Sequence, residues 1–241
     1  MAAIYYYAYD HQKPRGGQKM VYRHVDILRA NGREAHVRHA SPGYRLTWFD
    51  NDTSVVDEHT FRGRFDPACD IIVLPEDLGS RIGTFPGRKV IFNQNVFYGF
   101  YTFGFRKPPE YPYLRDDVVG AMVVSEHNRD YLRFAFPHLR VHRVVNGIDA
   151  RRFQFGDMGR KRLQIACVPT KADMDLTQVI HILEARARQG LNALAGSEWV
   201  HIRGLSEAEV AHHLDQSLFL LFVSIHEGMG MLPLEAMMSG A

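Results

Sequence analysis

Continuous apolar segments alternate with segments of helical period along most of this chain, and this alternation constrains the fold more than any other feature. In the segments 70–74 and 89–93, residues 71–74 and 90–92 are apolar without the polar–apolar alternation of a half-exposed strand, which is typical of strands buried on both faces. Residues 18–31 have a helical period instead, with Val21 and Val25 on one face. Strands separated by helices predict an α/β fold built on doubly wound parallel sheets.

The same reading divides the chain into two halves. The segment 150–160 is charged and contains glycine, as a hinge between domains often does. We therefore predict an N-terminal domain at residues 1–155 and a C-terminal domain at 156–241. The predicted strands are 4–9, 35–39, 70–74, 89–93, 121–125, 141–145, 163–168, 199–203 and 218–225, and the predicted helices include 18–31, 126–136 and 175–188. Residues 41–68 have no clear period and carry no prediction.

The segment that follows the last predicted strand holds the most informative motif. Gly228 and Gly230 form a loop, and Pro233 stands at the predicted first residue of a helix, where a missing N–H is tolerated. Glu227 therefore falls on the loop and Glu235 in the first helical turn. Open α/β sheets bind ligands at the carboxyl ends of their strands, and bare backbone at a helix start suits a phosphate. An acidic first-turn residue also caps a helix without any ligand, for about 0.3–1 kcal/mol, which would account for Glu235 alone.

This segment resembles the donor-site motif of family 4 glycosyltransferases, which are retaining enzymes of the GT-B fold. The family pattern is a glutamate, a Gly-aromatic-Gly loop and then Pro-Leu-Glu-Ala-Met; here Met229 stands in place of the aromatic residue. The resemblance implies that Glu227 is the catalytic residue in contact with the transferred sugar. It also implies that Gly228, Met229 and Gly230 bind the donor and that Glu235 accepts hydrogen bonds from the nucleotide ribose.

Two further positions fit the same family. Gly16 and Gly17 precede the first predicted helix, and the resemblance puts this pair close to the donor phosphates and the acceptor, although a glycine pair at a turn is common without a ligand. Lys171 follows the first strand of the second domain, where relatives carry Pro-Arg-Lys, and here Thr170 stands in place of the arginine. The resemblance makes Lys171 a ligand of the donor diphosphate; a solvated surface lysine is the alternative.

The resemblance therefore implies two Rossmann-like doubly wound domains, with the acceptor on the first and a nucleotide-sugar donor on the second. The reaction would move a sugar to a glycan or other small-molecule acceptor with retention, without a metal and without a cofactor. Two other classes remain open. One is a nucleotide-sugar epimerase of the same fold, and the other is a catalytically silent GT-B-like binding protein, which the departures at Thr170 and Met229 would fit.

Composition narrows the class of protein further. A formal net charge of +2 over 241 residues is too small to predict nucleic-acid binding. Cys69 and Cys167 are far apart and lack metal-ligand spacing, so neither a zinc site nor a disulfide framework is predicted. No segment is long enough to span a membrane, so we expect at most peripheral membrane contact. The N-terminus lacks the basic region of a signal peptide, which favours a cytoplasmic protein.

Family members continue beyond the position of Ala241, so we expect the second domain to be incomplete. Residues 218–225 are apolar except for Ser224 and are typical of a strand in the centre of a sheet. Without a following strand, one edge would present unpaired N–H and C=O groups. We therefore expect this edge to pair with a second chain in a homo-oligomer, or to make the protein prone to aggregation.

Overall fold

A computed structural model of the protein describes residues 2–102, 111–169 and 172–241. It divides into two compact units, Met1–Asn146 and Gly147–Ala241, called unit 1 and unit 2 below. The predicted boundary at residues 155/156 lies further along the chain. Phe153, which the prediction assigned to the first domain, is buried in the core of unit 2. The roles assigned to the two domains stay a prediction.

Unit 1 is a seven-stranded parallel sheet with helices. Its strand order is β3-β2-β1-β4-β5-β6-β7, so the chain first winds outward from β1 and then crosses back to β4. The elements are β1 (Ile4–Tyr7), α1 (Gly16–Ala30), β2 (Ala35–Arg38), β3 (Val55–Val56), α2 (Glu58–Arg64), β4 (Ile71–Pro75), β5 (Arg88–Asn93), α3 (Val96–Tyr101), β6 (Val118–Val123), α4 (Glu126–Ala135) and β7 (Val141–Arg143). Short 3-10 segments lie at Glu76–Thr84 and Pro112–Leu114. The point between β1 and β4, where the winding reverses, is where such sheets bind ligands.

The core of unit 1 explains why the apolar runs form its central strands. Ile72 and Leu74 in β4, Ile91 in β5 and Val123 in β6 have no exposed surface. Each of these three strands has a neighbour on both sides, so their side chains are covered along the sheet as well as above and below it. Burial of a branched aliphatic side chain contributes about 1.5–3 kcal/mol, and these strands supply much of the unit's stability.

Unit 2 is a smaller parallel sheet in the order β10-β8-β9. Its elements are β8 (Arg162–Cys167), α5 (Asp173–Arg188), β9 (Glu198–His201), α6 (Glu207–Gln216), β10 (Ser217–Leu221) and α7 (Met231–Met238). The predicted capping box is present, with Ser206 and Glu209 bonded to each other's backbone at the start of α6. Lys161 joins the ends of two helices, because its ammonium group donates to the carbonyls of Leu214 at 2.9 Å and Ser239 at 2.7 Å.

The structure corrects several local predictions. Residues 41–68, which carried no prediction, hold β3 and α2, and Asp57 caps α2 by accepting from the Thr60 N–H at 2.7 Å. The predicted strand 218–225 ends at Leu221. Its side chains are partly exposed, with Phe219 at 37%, because β10 pairs with β8 alone within the described part of the chain.

The helix of the motif also begins earlier than predicted. Met231 is its first residue and Gly230 its N-cap, so Pro233 is the third helical residue instead of the first. A proline is tolerated there because the first N–H groups of a helix have no intrahelical partner. Glu235 is then the fifth helical residue and lies beyond the first turn, so its predicted position in the first turn is wrong and the capping alternative does not apply to it.

Candidate functional site

The loop between β10 and α7 holds the predicted catalytic glutamate in a defined conformation. The Ser224 hydroxyl donates to Oε1 of Glu227 at 2.5 Å. His226, the residue before Glu227, has φ of 54°, a left-handed conformation that residues other than glycine rarely adopt. The carboxylate of Glu227 is therefore fixed both by a side-chain hydrogen bond and by an unusual backbone turn.

The N-terminus of α7 follows directly and has no side-chain cap. Its N-cap is Gly230, which offers no side chain, and its first turn contains no acidic residue. A Cβ atom on Gly230 would lie 3.1 Å from Cδ of Pro233, so the close turn into the helix favours glycine. The first N–H groups of a helix together with its dipole make a ready site for an anion. The sequence Glu227 to Gly230 thus brings a carboxylate and an uncapped helix start into one loop.

The other predicted donor residues of unit 2 differ in what the structure describes. Glu235 lies in α7 and is only 5% exposed, next to the buried Ala236. Thr170 and Lys171 lie outside the described residues, so the predicted contact of Lys171 with a diphosphate has no structural test. The roles of Glu227, Gly228, Met229, Gly230, Lys171 and Glu235 stay predictions.

In unit 1, polar groups gather at the carboxyl ends of β1, β4 and β5, at the reversal point of the sheet. Tyr9, just beyond β1, donates its hydroxyl proton to Oδ1 of Asp77 beyond β4 at 2.8 Å. Gln94, just beyond β5, donates from Nε2 to the carbonyl of Gly17 at 3.3 Å. A Cβ atom on Gly17 would lie 2.8 Å from Oε1 of Gln94, so the absence of a side chain is what allows this approach.

Glu76, at the carboxyl end of β4, has a buried carboxyl group. It follows β4, is 6% exposed, and accepts a hydrogen bond from the Asn95 N–H at 2.7 Å. Burial raises the pKa of Glu76 to about 8, against the opposing effect of backbone hydrogen bonds. Asn95 in turn accepts from the N–H groups of Phe97 and Tyr98 and caps α3. Glu76 therefore supports the loop that carries Gln94 to Gly17.

A second chain of hydrogen bonds fixes the loop after β2. The Leu46 N–H donates to the Tyr22 hydroxyl at 3.1 Å, and this hydroxyl lies 2.7 Å from Nε2 of His39. His39 Nδ1 lies 2.9 Å from Oδ1 of Asp10, which also accepts from the Ser41 N–H through its other oxygen. Burial lowers the pKa of His39 more than the Asp10 carboxylate raises it. A neutral imidazole with its proton on Nδ1 satisfies every partner in this chain.

Sequence reasoning missed Glu76, Gln94, Asp10 and His39 as site candidates. One signal was available, since His39 ends a predicted strand, the other three follow one closely, and the carboxyl ends of parallel strands share one edge. Their mutual contacts depend on the strand order, which local sequence patterns do not encode.

Comparison with known proteins gives matches in structure alone. No protein-family profile matches the chain, and no curated protein matches it in sequence. A sucrose-phosphate synthase from Thermosynechococcus elongatus superposes with a TM-score of 0.63 at 11% identity, over 98% of this chain and 79% of that one. The catalytic domain of starch synthase IV from Arabidopsis thaliana, bound to ADP and acarbose, gives 0.55 at 12% identity, over 98% and 80%.

A third structure is an α-glucosyltransferase in complex with UDP and a 13-mer DNA containing a HMU base. It superposes with a TM-score of 0.54 at 12% identity, over 90% of this chain and 71% of that one. All three are glycosyltransferases of the GT-B fold. This chain has the GT-B fold. The predicted fold class is therefore confirmed, whereas membership of family 4 and retention of configuration stay predictions.

These findings bear on two of the other predictions. The third structure contains DNA, so the comparisons do not support the exclusion of nucleic acid that the low net charge favoured. Within the described ranges, no group of three or more His, Cys, Asp or Glu side chains is placed to hold a metal ion, and the same ranges contain no helix with the length and apolar character of a membrane span. Metal-independent transfer, the lack of a cofactor, cytoplasmic localisation and homo-oligomer formation stay predictions.

Proposed function

We propose that this protein is a glycosyltransferase that moves a sugar from a nucleoside diphosphate sugar to a glycan or other small-molecule acceptor, with retention and without a metal. The observation that carries the proposal is the loop from Glu227 to Gly230, with its fixed carboxylate and uncapped helix start, in a chain with the GT-B fold. The structural neighbours add support, since UDP is bound in one of them and ADP in another.

In this proposal unit 2 stabilises the departing nucleoside diphosphate by electrostatic interactions. Departure of the nucleoside diphosphate leaves negative charge on the β-phosphate, and donors already aimed at that charge lower the barrier most. The first N–H groups of α7 supply such donors, and Lys171 adds a full positive charge. Glu227 accepts hydrogen bonds from the hydroxyls of the transferred sugar, and Glu235 accepts from the ribose. Gly16 and Gly17 of unit 1 bind the donor, close to its phosphates and to the acceptor, and Gln94 contacts Gly17.

A silent binding protein is the second candidate, because Thr170 and Met229 replace an arginine and an aromatic residue of the family pattern. An epimerase would release nucleoside diphosphate together with an epimerised free sugar. The three alternatives therefore differ in what accumulates: a glycosylated acceptor, a free epimer, or nothing.

The test is a panel of UDP-, GDP-, dTDP- and ADP-sugars incubated with the purified protein, with released nucleoside diphosphate and the sugar product, a glycosylated acceptor or a free epimer, as the readouts. We expect one donor to be turned over, and Glu227→Gln to abolish the release while thermal unfolding stays cooperative. Glu198→Gln is the matched control, since it makes the same change at an exposed position at the start of β9. Near-normal release by the Glu227→Gln protein, or equal loss in the control, would contradict the assignment.

A further inference from the structure

Unit 1 contains a cavity that none of the predicted site residues line. It has a volume of about 460 Å³ and lies between α2 and the residues just before β5. We call it the α2 cavity and define it by Arg38, Glu58, Phe61, Arg62, Phe65 and Phe85, which all line it. Its size is within the range of about 300–1,000 Å³ that is usual for small-molecule sites.

The lining of the α2 cavity includes three charged side chains. Glu58 pairs with Arg38 through one carboxylate oxygen and accepts from Nε of Arg62 through the other at 2.7 Å. Arg38 is the last residue of β2 and only 8% exposed, and its guanidinium lies 4.9 Å from the ring centroid of Tyr7. The side chain of Arg62 is 76% exposed and its guanidinium has five N–H donors, so Arg62 can donate to an occupant of the cavity.

Aromatic rings form another part of the lining of the α2 cavity. The ring of Phe61 in α2 lies 4.9 Å from that of Phe65, just after the helix, and the Arg38 guanidinium lies 5.9 Å from the Phe61 ring centroid and 6.0 Å from that of Phe85. Phe65 and Phe85 are half-buried, so part of their surface is open. Aromatic faces carry negative partial charge and attract the C–H groups of an apolar ring surface.

We propose that the α2 cavity binds one sugar ring of a glycan acceptor. A pyranose has an apolar C–H face and a rim of hydroxyls that both donate and accept, which matches a lining of aromatic rings beside two guanidinium groups and a carboxylate. An inorganic anion fits less well, because Glu58 stands between the two arginines. A purely apolar ligand fits less well too, because it would take three charges out of water without hydrogen bonds. That the bound glycan is an acceptor rests on the proposed function.

The test is titration calorimetry of the full chain with maltotriose, cellotriose and chitotriose, with inorganic phosphate and benzyl alcohol as the anionic and apolar probes. We expect at least one trisaccharide to bind. Phe85→Ala and Arg62→Ala should each weaken that binding about tenfold, since each removes one direct contact. Arg64→Ala is the matched control, an exposed arginine of the same helix outside the α2 cavity, and should leave the affinity within about twofold.

Arg62 has 76% of its side chain exposed, so its variant tests the proposal even if Phe85→Ala fails to fold. The proposal is overturned if none of the trisaccharides binds, if only phosphate or benzyl alcohol binds, or if Arg64→Ala weakens binding as much as Arg62→Ala does. Nucleoside diphosphate release measured on the same preparations separates the two proposals. If release depends on Glu227 but no saccharide binds, the proposed function is kept and the sugar site in the α2 cavity is rejected. If a saccharide binds without release, the sugar site is kept and the proposed function is rejected.

Discussion

Glu76 allows a quantitative test of how burial of its carboxyl group affects the stability of unit 1. Its carboxyl group is 6% exposed, and its pKa is about 8 in the folded protein against an ordinary value of 4.5. Between pH 4.5 and about pH 8, the Glu76 carboxyl group is therefore protonated in the folded state and ionised in the unfolded state. This favours folding fully below about pH 4.5, and the contribution is lost as the pH rises through about 8.

The size of the effect follows from the two pKa values. Linkage gives a fall in the free energy of unfolding of about 3 kcal/mol between pH 6 and pH 9 from this one group. In Glu76→Gln the side chain is neutral at every pH and its amide oxygen still accepts from the Asn95 N–H. We expect the free energy of unfolding of this variant, relative to that of the wild type, to rise by the same amount between pH 6 and pH 9, and the variant to be the more stable protein at pH 9.

The assay is urea unfolding at pH 6, 7, 8 and 9, followed by tryptophan fluorescence. The chain has two tryptophans, Trp48 and Trp199, so a Trp199→Phe background leaves Trp48 to report unit 1 alone. Glu198→Gln on the same background is the control, since an exposed carboxylate faces water in both states. Parallel pH dependence in the wild type and Glu76→Gln would refute the reasoning, because it would mean that Glu76 releases its proton in the folded protein as easily as in the unfolded one.

Three further predictions concern other parts of the chain. Gly17→Ala should change the free energy of unfolding by less than about 1 kcal/mol, because better helix propensity offsets the approach to the flexible end of Gln94; thermal unfolding measures this, and a larger loss would mean that Gln94 cannot move. Tyr22→Phe should cost about 1–3 kcal/mol, because it removes the bonds to His39 and to the Leu46 N–H; a urea midpoint equal to that of the wild type would contradict the hydrogen-bond chain. Lys171→Ala should weaken UDP binding by about 1.5–3 kcal/mol and leave uridine binding unchanged in calorimetry, and equal losses for both ligands would refute its role as a phosphate ligand.

Much of the fold could be predicted because the central strands carry their own signal. The continuous apolar runs of β4, β5 and β8 were found to within two residues. Two kinds of segment could not be found in this way. With only two residues in β3 and seven in α2, neither can show a period. Residues 222–225 are largely apolar but belong to a loop, and composition alone does not separate such a loop from a continuing strand.

The candidate site likewise has one part that could be predicted from the sequence and one part that could not. The loop from Glu227 to Gly230 could be predicted because all its parts are neighbours in sequence. The contacts of Glu76 with Asn95 and of Gln94 with Gly17 could not, because they join the ends of different strands. They arise only once β1, β4 and β5 lie side by side, and that order is set by the packing of helices on both faces of the sheet.

The loop before α7 is more constrained than a connection between a strand and a helix needs to be. A non-glycine residue in the left-handed region costs about 1–2 kcal/mol, and His226 adopts this conformation in a loop that already contains Gly228 and Gly230. Glycine at 226 would relieve that cost. The bond from Ser224 to Glu227 spans the same turn, and the loop leads to the uncapped start of α7. A carboxylate fixed in a strained loop before such a helix start supports the proposal that this loop binds a ligand that presents hydroxyls and phosphates together.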